Sequence, residues 1–141
     1  MITSWIFGSS KKDVYQGDKD NAGKRHGSGT LSLGNGDVFK GSFSNGQLLN
    51  GEYRFSSGDV YVGDFYNNCK HGGGILTYVN GSSYDGDFED DMKHGVGLLK
   101  FTNGDTYEGE FKKNKRDGIG KYLYSNGDIY VSTYMLTNMI S

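Results

Sequence analysis

Three histidines with glycine neighbours are the first residues in this chain that could support chemistry. His26, His71 and His94 are each followed by glycine, and Cys69, the single cysteine, lies two residues before His71. A metal site or a thiol nucleophile needs several such side chains that converge on one point. The closest histidines are 23 residues apart, and Cys69 has no third ligand or base nearby in sequence. We therefore predict no metal, no cofactor and no catalytic residue, and we interpret each histidine as bonding a loop at the entrance of its hairpin.

Two further motifs match ligand-binding loops only in part. Gly72-Gly73-Gly74 suggests a phosphate loop, but no helical pattern follows whose N-terminus could bind phosphate. The acidic run that begins at Asp85 suggests a calcium loop, yet its sixth position is Asp90 instead of glycine and its twelfth is Val96 instead of glutamate. We interpret both as strands and turns, so the sequence predicts that the protein is not an enzyme.

The densest basic cluster is a candidate lipid-headgroup site. It comprises Lys112, Lys113, Lys115 and Arg116, and such clusters attract anionic membranes. The equivalent stretch 23 residues earlier is acidic, Glu89-Asp90-Asp91, so we prefer a charged loop in water. The chain has 15 basic and 17 acidic residues and a net charge of −2. Because a nucleic-acid binder carries a basic face, we expect no nucleic-acid partner.

All of these residues fall within one repeating pattern, which must position them. An aromatic residue recurs about every 23 positions, at Tyr15, Phe39, Tyr61, Tyr84, Tyr107 and Tyr130. A glycine follows each of the first five aromatics after one residue, and the chain has 24 glycines and no proline. A period of this length is typical of stacked repeat proteins, and the absence of proline favours sheet.

Each repeat has the pattern of a β-hairpin. Apolar and polar residues alternate around each glycine, as in Tyr84-Asp85-Gly86-Asp87-Phe88 and again in the strand through Leu99 and Phe101. Consecutive hairpins then continue as a meander. We expect an all-β fold, an elongated single-layer twisted antiparallel sheet. The tyrosines should lie over glycines of the neighbouring strands, since regular glycine in a strand implies a steric need.

The side-chain alternation constrains both connections of the hairpins. Phe101 and Tyr107 can share a face only if the loop between their strands has an odd number of residues, such as Thr102 to Gly104. Positive φ is therefore predicted at the five turn glycines, which are Gly36, Gly58, Gly81, Gly104 and Gly127. The other connection needs an even number, and we predict a four-residue loop from Asn114 to Asp117.

The pattern resembles the MORN repeat (membrane occupation and recognition nexus). The best copies pair Tyr84-Asp85-Gly86 with His94-Gly95-Val96-Gly97 and Tyr61-Val62-Gly63 with His71-Gly72-Gly73-Gly74. The resemblance covers residues 15–131 as five repeats that start near 15, 39, 61, 84 and 107. Residues 1–14 would be an N-terminal cap, and 132–141 a partial sixth repeat or tail. The second repeat departs from the pattern at Leu48-Leu49, and Ser132 replaces a repeat glycine.

The resemblance implies a grooved aromatic face that binds a partner without catalysis. An uncovered apolar strip marks a binding site, and the candidate groove residues are Tyr61, Phe65, Tyr78, Tyr84, Phe88, Phe101, Tyr107, Phe111, Tyr122 and Tyr124. We expect a protein partner, either an extended peptide or an amphipathic helix. The alternative is a module for phosphoinositides or membrane surfaces, such as the regulatory part of a phosphatidylinositol phosphate kinase, with acidic phospholipid as ligand.

Two expectations concern assembly and location. The side of the sheet away from the groove carries an apolar patch that includes Ile75, Val96 and Ile119. Two interpretations stay open: a homodimer contact, or a surface covered by the tail that contains Met135, Leu136, Met139 and Ile140. The single cysteine favours a reducing compartment, so we expect a cytoplasmic protein. The family resemblance adds a membrane or a cytoskeletal structure as its place of action.

Overall fold

The chain folds into one open antiparallel sheet whose strands follow each other in sequence order. The computed structural model describes residues 11–134, and within them eleven strands and no helix occur. The described residues thus include no helix that could cross a membrane. The strands are β1 Val14–Lys19, β2 Arg25–Ser32, β3 Val38–Ser44, β4 Gln47–Arg54, β5 Val60–Tyr66, β6 Cys69–Thr77, β7 Ser83–Glu89, β8 Met92–Lys100, β9 Thr106–Lys112, β10 Lys115–Leu123 and β11 Ile129–Tyr134. The expected single-layer β-meander is confirmed.

A line of glycines crosses the sheet at right angles to its strands. The first ten strands each place one glycine in this line, and Ser132 occupies its place in β11. The tyrosine rings cover the glycines, because a Cβ added to Gly97 would lie 2.3 Å from a carbon of the Tyr84 ring. The same holds for Gly74 beneath Tyr61, at 2.4 Å. The predicted steric need for glycine is confirmed.

The rings over this line form one continuous chain of edge-to-face contacts. The order is Tyr15, Phe43, Phe39, Phe65, Tyr61, Phe88, Tyr84, Phe111, Tyr107 and Tyr134, with centroids 5.1–5.8 Å apart and planes at 80–89°. Each such pair contributes about 0.5–1.5 kcal/mol beyond its buried area. Tyr61, Tyr84 and Tyr107 contact each other only through an intervening phenylalanine. The core of the protein is therefore a row of rings on one face of the sheet.

The three-residue turns lie along one long edge of the sheet, where the strands end, and they have the predicted geometry. The Phe101 amide donates to the Asp105 carbonyl and the Gly104 amide to the Phe101 carbonyl. All five turn glycines have φ between 89° and 101°. The turn aspartates also join neighbouring repeats, since Asp37 accepts the Ser56 amide at 2.8 Å. Three other repeat junctions are bridged in this way, and the described junction after Ser82, which replaces the aspartate, shows no such bond.

The connection at the opposite edge differs from our prediction. The predicted four-residue loop from Asn114 to Asp117 is wrong, because the structure has a two-residue turn at Lys113–Asn114 with φ of 48° and 69°. Two extra residues lie in a bulge between Asp117 and Gly120. Side-chain alternation requires an even total number of extra residues, but it does not require all of them to lie in one loop. Two left-handed residues match the twist of the hairpin, which favours dividing the four residues into turn and bulge.

The bulge also explains the departure in the second repeat. In the other repeats the first glycine of the bulge has φ near 65°, as at Gly72 (67°) and Gly118 (62°). A left-handed residue of this kind favours glycine. In the second repeat the register shifts between Ser42 and Phe43, and Leu49 is the single extra residue. This shorter bulge has no left-handed residue, so leucine is tolerated where other repeats need glycine.

The glycine line generates a stability prediction. Gly97→Ala should lower the free energy of unfolding by about 1–3 kcal/mol, because the new methyl group would overlap the Tyr84 ring. Gly73→Ala is the matched control, since a Cβ there meets nothing within 4 Å. Urea denaturation of both variants measures the difference. Equal stabilities of the two variants would show that the rings do not require the glycines.

The buried turn carboxylates generate a pH prediction. Burial of Asp37 raises its pKa, but hydrogen bonds from the Ser56 amide and from Tyr53 and Asn35 outweigh burial, so the pKa lies below its ordinary 3.8. A carboxyl with a depressed folded-state pKa stabilises the fold above its unfolded pKa, and this is lost as pH falls through the folded value. When the pH is lowered below about 4, the urea concentration at the midpoint of unfolding should therefore decrease for the wild type. For Asp37→Asn the same decrease in pH should lower this midpoint less.

The control for this experiment is Asp128→Asn. The Asp128 side chain is exposed and accepts a bond from Asn126 in its own turn. This variant should keep the pH dependence of the wild type. If Asp37→Asn and Asp128→Asn respond identically to acid, the inter-repeat carboxylate does not stabilise the fold.

Candidate binding surface

The aromatic face, defined as the side of the sheet that carries Tyr61, Tyr84 and Tyr107, divides the predicted groove residues into two groups. Six of them are 0–7% exposed and form the core, namely Tyr61, Phe65, Tyr84, Phe88, Tyr107 and Phe111. These rings have no area left to offer a partner. Tyr78, Phe101 and Tyr122 are half-buried, and Tyr124 is 43% exposed. The surface that a partner could contact is therefore the second group, which lies toward the edge with the three-residue turns.

Cationic side chains extend over the rings from the opposite edge. The Lys93 ammonium lies 5.3 Å from the Tyr78 ring centroid and 5.4 Å from that of Tyr84. Lys70 lies over Phe55 and Tyr61 in the same way, at 5.4 and 5.9 Å. Such cation–π contacts contribute about 0.5–2 kcal/mol each. The accessible part of the aromatic face is thus a strip of rings with cations above them.

These cations hold one repeat position, which the sequence analysis did not identify as functional. In the last four repeats the position follows the two-residue turn and faces the phenylalanine of the preceding strand, as in Phe88 opposite Lys93. In the first repeat Arg25 follows a longer loop and faces Lys19. The five members of this position are Arg25, Leu48, Lys70, Lys93 and Arg116. Alignment of the five repeats shows four cations and one leucine at this position. The sequence does not show that these side chains contact the rings, because that contact depends on the register shift in the bulge.

The structure separates the members of the predicted basic cluster. Arg116 lies on the aromatic face, with its guanidinium carbon 4.5 Å from the Tyr107 ring centroid and within 6 Å of three further rings. Lys112, Lys113 and Lys115 are exposed at the turn. Arg116 therefore belongs to the strip of cations, and the three lysines form a separate charged loop.

The cations of the strip differ in whether a carboxylate neutralises them. Lys70 pairs with Asp91 at 3.3 Å, and hydrogen bonds from Lys70 hold the pKa of Asp91 below its ordinary value although burial opposes this. The residue equivalent to Asp91 in the next repeat is Asn114, which accepts the Lys93 amide at 2.8 Å. No carboxylate among residues 11–134 lies within ion-pair distance of Lys93 or Arg116. These two half-buried cations lack a counter-ion in the described part of the chain.

A shallow apolar depression lies at the other end of the aromatic face. Leu31, Leu33, Leu48 and Tyr53 supply its apolar walls, and Asp13, Arg25 and Asn68 line its margin. Its volume is about 200 Å³. The depression exists because Leu48 stands where other repeats have a cation that covers the rings. Its size fits one aliphatic or aromatic side chain.

The tyrosine hydroxyls serve structure. Those of Tyr61 and Tyr84 donate to the carbonyls of Asp64 and Asp87, both at 2.9 Å. Burial raises the pKa of both tyrosines above the ordinary range, so the phenols remain neutral. The buried Tyr107 hydroxyl has no partner among the described residues. The Tyr61 and Tyr84 hydroxyls are therefore part of the fold.

The histidines lie near the two-residue turns and the bulges. His94 Nε2 lies 3.1 Å from a carboxylate oxygen of Glu89 beside the turn, and the His71 ring packs 5.5 Å from that of Tyr66. His26 is exposed. Within residues 11–134, no three side chains of His, Cys, Asp or Glu are grouped so that they could hold a metal ion.

The opposite face of the sheet carries scattered apolar side chains among charges. Val62, Ile75, Val96 and Ile119 are 44–63% exposed. Their cross-strand partners are often carboxylates, as for Ile75 opposite Asp85 and Val96 opposite Glu110. This mixture has none of the ring contacts that organise the aromatic face. Residues 1–10 of the predicted cap and 135–141 of the predicted tail lie outside the described residues.

The fold and its repeating ring–glycine contacts define a single-layer repeat protein without a helix in its described residues. The sequence model of the MORN repeat matches residues 15–38, 61–83, 84–106 and 107–129. The chain belongs to the MORN-repeat family. The second repeat, 39–60, is not matched, although it forms the same hairpin with the shorter bulge at Leu49.

No curated protein matches the chain in sequence at a significant level. Among solved structures, the chain is similar to the TCP domain of Drosophila melanogaster SAS-4 (dCPAP) in complex with a proline-rich motif of Ana2 (dSTIL). The two are 17% identical, with a TM-score of 0.34, and the match covers 84% of this chain and 83% of that domain.

The division of the rings predicts different effects of two tyrosine substitutions. Tyr84→Ala should destabilise the fold by about 3–5 kcal/mol, because it removes a fully buried ring. Tyr78→Ala should cost far less, since its ring is half-buried and lies outside the edge-to-face chain. Thermal and urea denaturation measure both. Similar losses for the two variants would contradict the assignment of Tyr84 to the core and Tyr78 to the surface.

Proposed function

We propose that this protein is a non-catalytic interaction module that binds a segment of a partner protein on its aromatic face. The observation that carries the proposal is the strip formed by Tyr78, Phe101, Tyr122 and Tyr124 with the cations Lys93 and Arg116. Tyrosine and arginine are enriched where protein interfaces concentrate their binding energy. Phe101, Tyr122 and Tyr124 already pack on one another, so a partner would lose little affinity to ordering these rings.

The shape of the surface supports a linear segment as ligand. The strip runs across successive strands, along the length of the sheet. A segment laid along it would contact three successive ring–cation pairs, Phe55 with Lys70, Tyr78 with Lys93 and Phe101 with Arg116. This agrees with a partner that presents a peptide or a helix and gives the repeat architecture a functional role.

A membrane-surface role would rest on Lys112, Lys113 and Lys115. These lysines are exposed, but the equivalent loop of the preceding repeat is acidic. The aromatic strip does not include them. Experiment must therefore distinguish the protein-binding role from three alternatives. These are binding to acidic phospholipid, a regulatory position beside a lipid kinase domain, and homodimer formation. A cytoplasmic location remains part of the proposal.

The proposal predicts that partner capture depends on one face of the sheet. Tyr78→Ser/Phe101→Ser should reduce the recovery of specific partners from a cytoplasmic lysate by about 10-fold or more, since it removes two central contacts. Val62→Ser/Val96→Ser alters exposed apolar residues of the opposite face and should leave recovery unchanged. Affinity capture with quantitative mass spectrometry measures both, after melting curves confirm that each variant is folded.

Two outcomes would contradict the proposal. Loss of partners only in the opposite-face variant would assign binding to that side. Cosedimentation with phosphatidylcholine vesicles that depends on added phosphatidylserine, and that is abolished by Lys112→Glu/Lys113→Glu/Lys115→Glu, would favour the membrane role if capture were unaffected by either face.

A further inference from the structure

The uncompensated charge on the aromatic face indicates what kind of ligand fits it. Lys93 and Arg116 are half-buried against rings, and no carboxylate in residues 11–134 neutralises them. Lys70, one repeat before Lys93, already has Asp91 as its partner. Partly desolvated cations bind carboxylates more strongly than fully hydrated ones do. Arg25, the other strip cation without a carboxylate of the described residues within ion-pair distance, instead donates from its guanidinium to the Gly46 carbonyl. A ligand that neutralises the two remaining cations, Lys93 and Arg116, therefore carries two negative charges.

The apolar depression fixes a third point of contact. It lies between β2 and β4, which supply Leu31, Leu48 and Tyr53, so its centre is near β3. The Lys93 ammonium lies over Tyr84 of β7, and the Arg116 guanidinium lies over Tyr107 of β9. Neighbouring strands are about 4.8 Å apart. The two cations are thus about 19 Å and 29 Å from the depression along the sheet.

These separations correspond to whole numbers of residues in an extended chain. Extended and polyproline II segments advance about 3.1–3.4 Å per residue, so 19 Å and 29 Å are about six and nine residues. The two charges would then be three residues apart, which is one turn of a polyproline II helix. An α-helix would need about 13 and 19–20 residues. It would also be straight, whereas adjacent strands rotate by about 20–25°, so a flexible segment follows the surface better.

We propose that the aromatic face binds an extended acidic segment with one apolar residue and two carboxylates, six and nine positions away. The apolar side chain fills the depression at Leu48, and the two carboxylates bind Lys93 and Arg116. The residues between them pass over the neutral Lys70–Asp91 pair. This inference rests on the proposed function and specifies the chemistry of the partner segment.

Synthetic peptides test the inference directly. The main probe is a 12-residue peptide of alternating proline and serine with leucine at its second position and glutamate at its eighth and eleventh. The same sequence in reverse order tests the other chain direction. Fluorescence anisotropy with the full chain should show that one of the two binds, and that added NaCl weakens binding. Replacing both glutamates by glutamine should weaken binding by about 10-fold or more.

Substitutions in the protein test which cation meets which carboxylate. Lys93→Gln should lower the affinity for the main peptide. It should not lower the affinity for a peptide in which the glutamate nearer the leucine is already replaced by glutamine, and a double-mutant cycle detects this difference. Arg116→Gln should behave likewise toward the other glutamate. Lys112→Gln is the matched control, because this lysine is exposed outside the strip, and it should leave affinity almost unchanged.

The outcomes separate this inference from the proposed function. If glutamine peptides bind as well as glutamate peptides, or if glutamates four residues apart bind as well as those three apart, the proposed ligand chemistry is wrong. Tighter binding of a helical peptide with its glutamates seven residues apart would overturn the extended conformation. In each case the proposed function still stands if Tyr78→Ser/Phe101→Ser loses its captured partners, and it fails if capture is independent of that face.

Discussion

The fit of a tyrosine ring onto a glycine that has no side chain is the contact on which the rest of this structure depends. A Cβ at Gly120 would lie 2.1 Å from the Tyr107 hydroxyl and 2.4 Å from its ring carbons. Each of the first ten strands therefore places a glycine in the same line. This requirement fixes the register of the whole sheet, since a shift of one residue would put a side chain under a ring.

A core made of rings lets a single sheet fold without a second layer. The rings pack edge to face and so cover one another, which leaves Phe39, Tyr61, Tyr84 and Tyr107 each 0% exposed. Both edges of the sheet then hold the repeats together, through turn carboxylates on one side and two-residue turns on the other, as in Asp91 with Lys70. Because each repeat contacts mainly its neighbours, stability grows by addition along the chain.

The residues that vary between repeats give the aromatic face its chemical character. Leu48 leaves an apolar depression where other repeats place a cation over the rings. Asn114 replaces Asp91 of the preceding repeat and thereby leaves Lys93 without a counter-ion among residues 11–134. The repeated residues build the sheet, and these substitutions distinguish its two ends. The proposed ligand chemistry follows from that difference in apolar surface and charge.

The sequence alone determined the period, the hairpins, the antiparallel order and the left-handed turn glycines. These depend on local properties, namely the alternation of side chains and the positive φ that a three-residue turn needs at Gly104.

The tertiary structure decided three other features. It divided four extra residues between the Lys113–Asn114 turn and the bulge at Gly118, because alternation constrains only their sum. It buried Tyr84 and left Tyr78 accessible, although both are tyrosines in strands or at their ends, because burial depends on rings contributed by the next repeat. It also placed Lys93 and Arg116 over those rings. Charge and spacing in the sequence do not show which cations lack a carboxylate, since that depends on which residues lie across the edge from them.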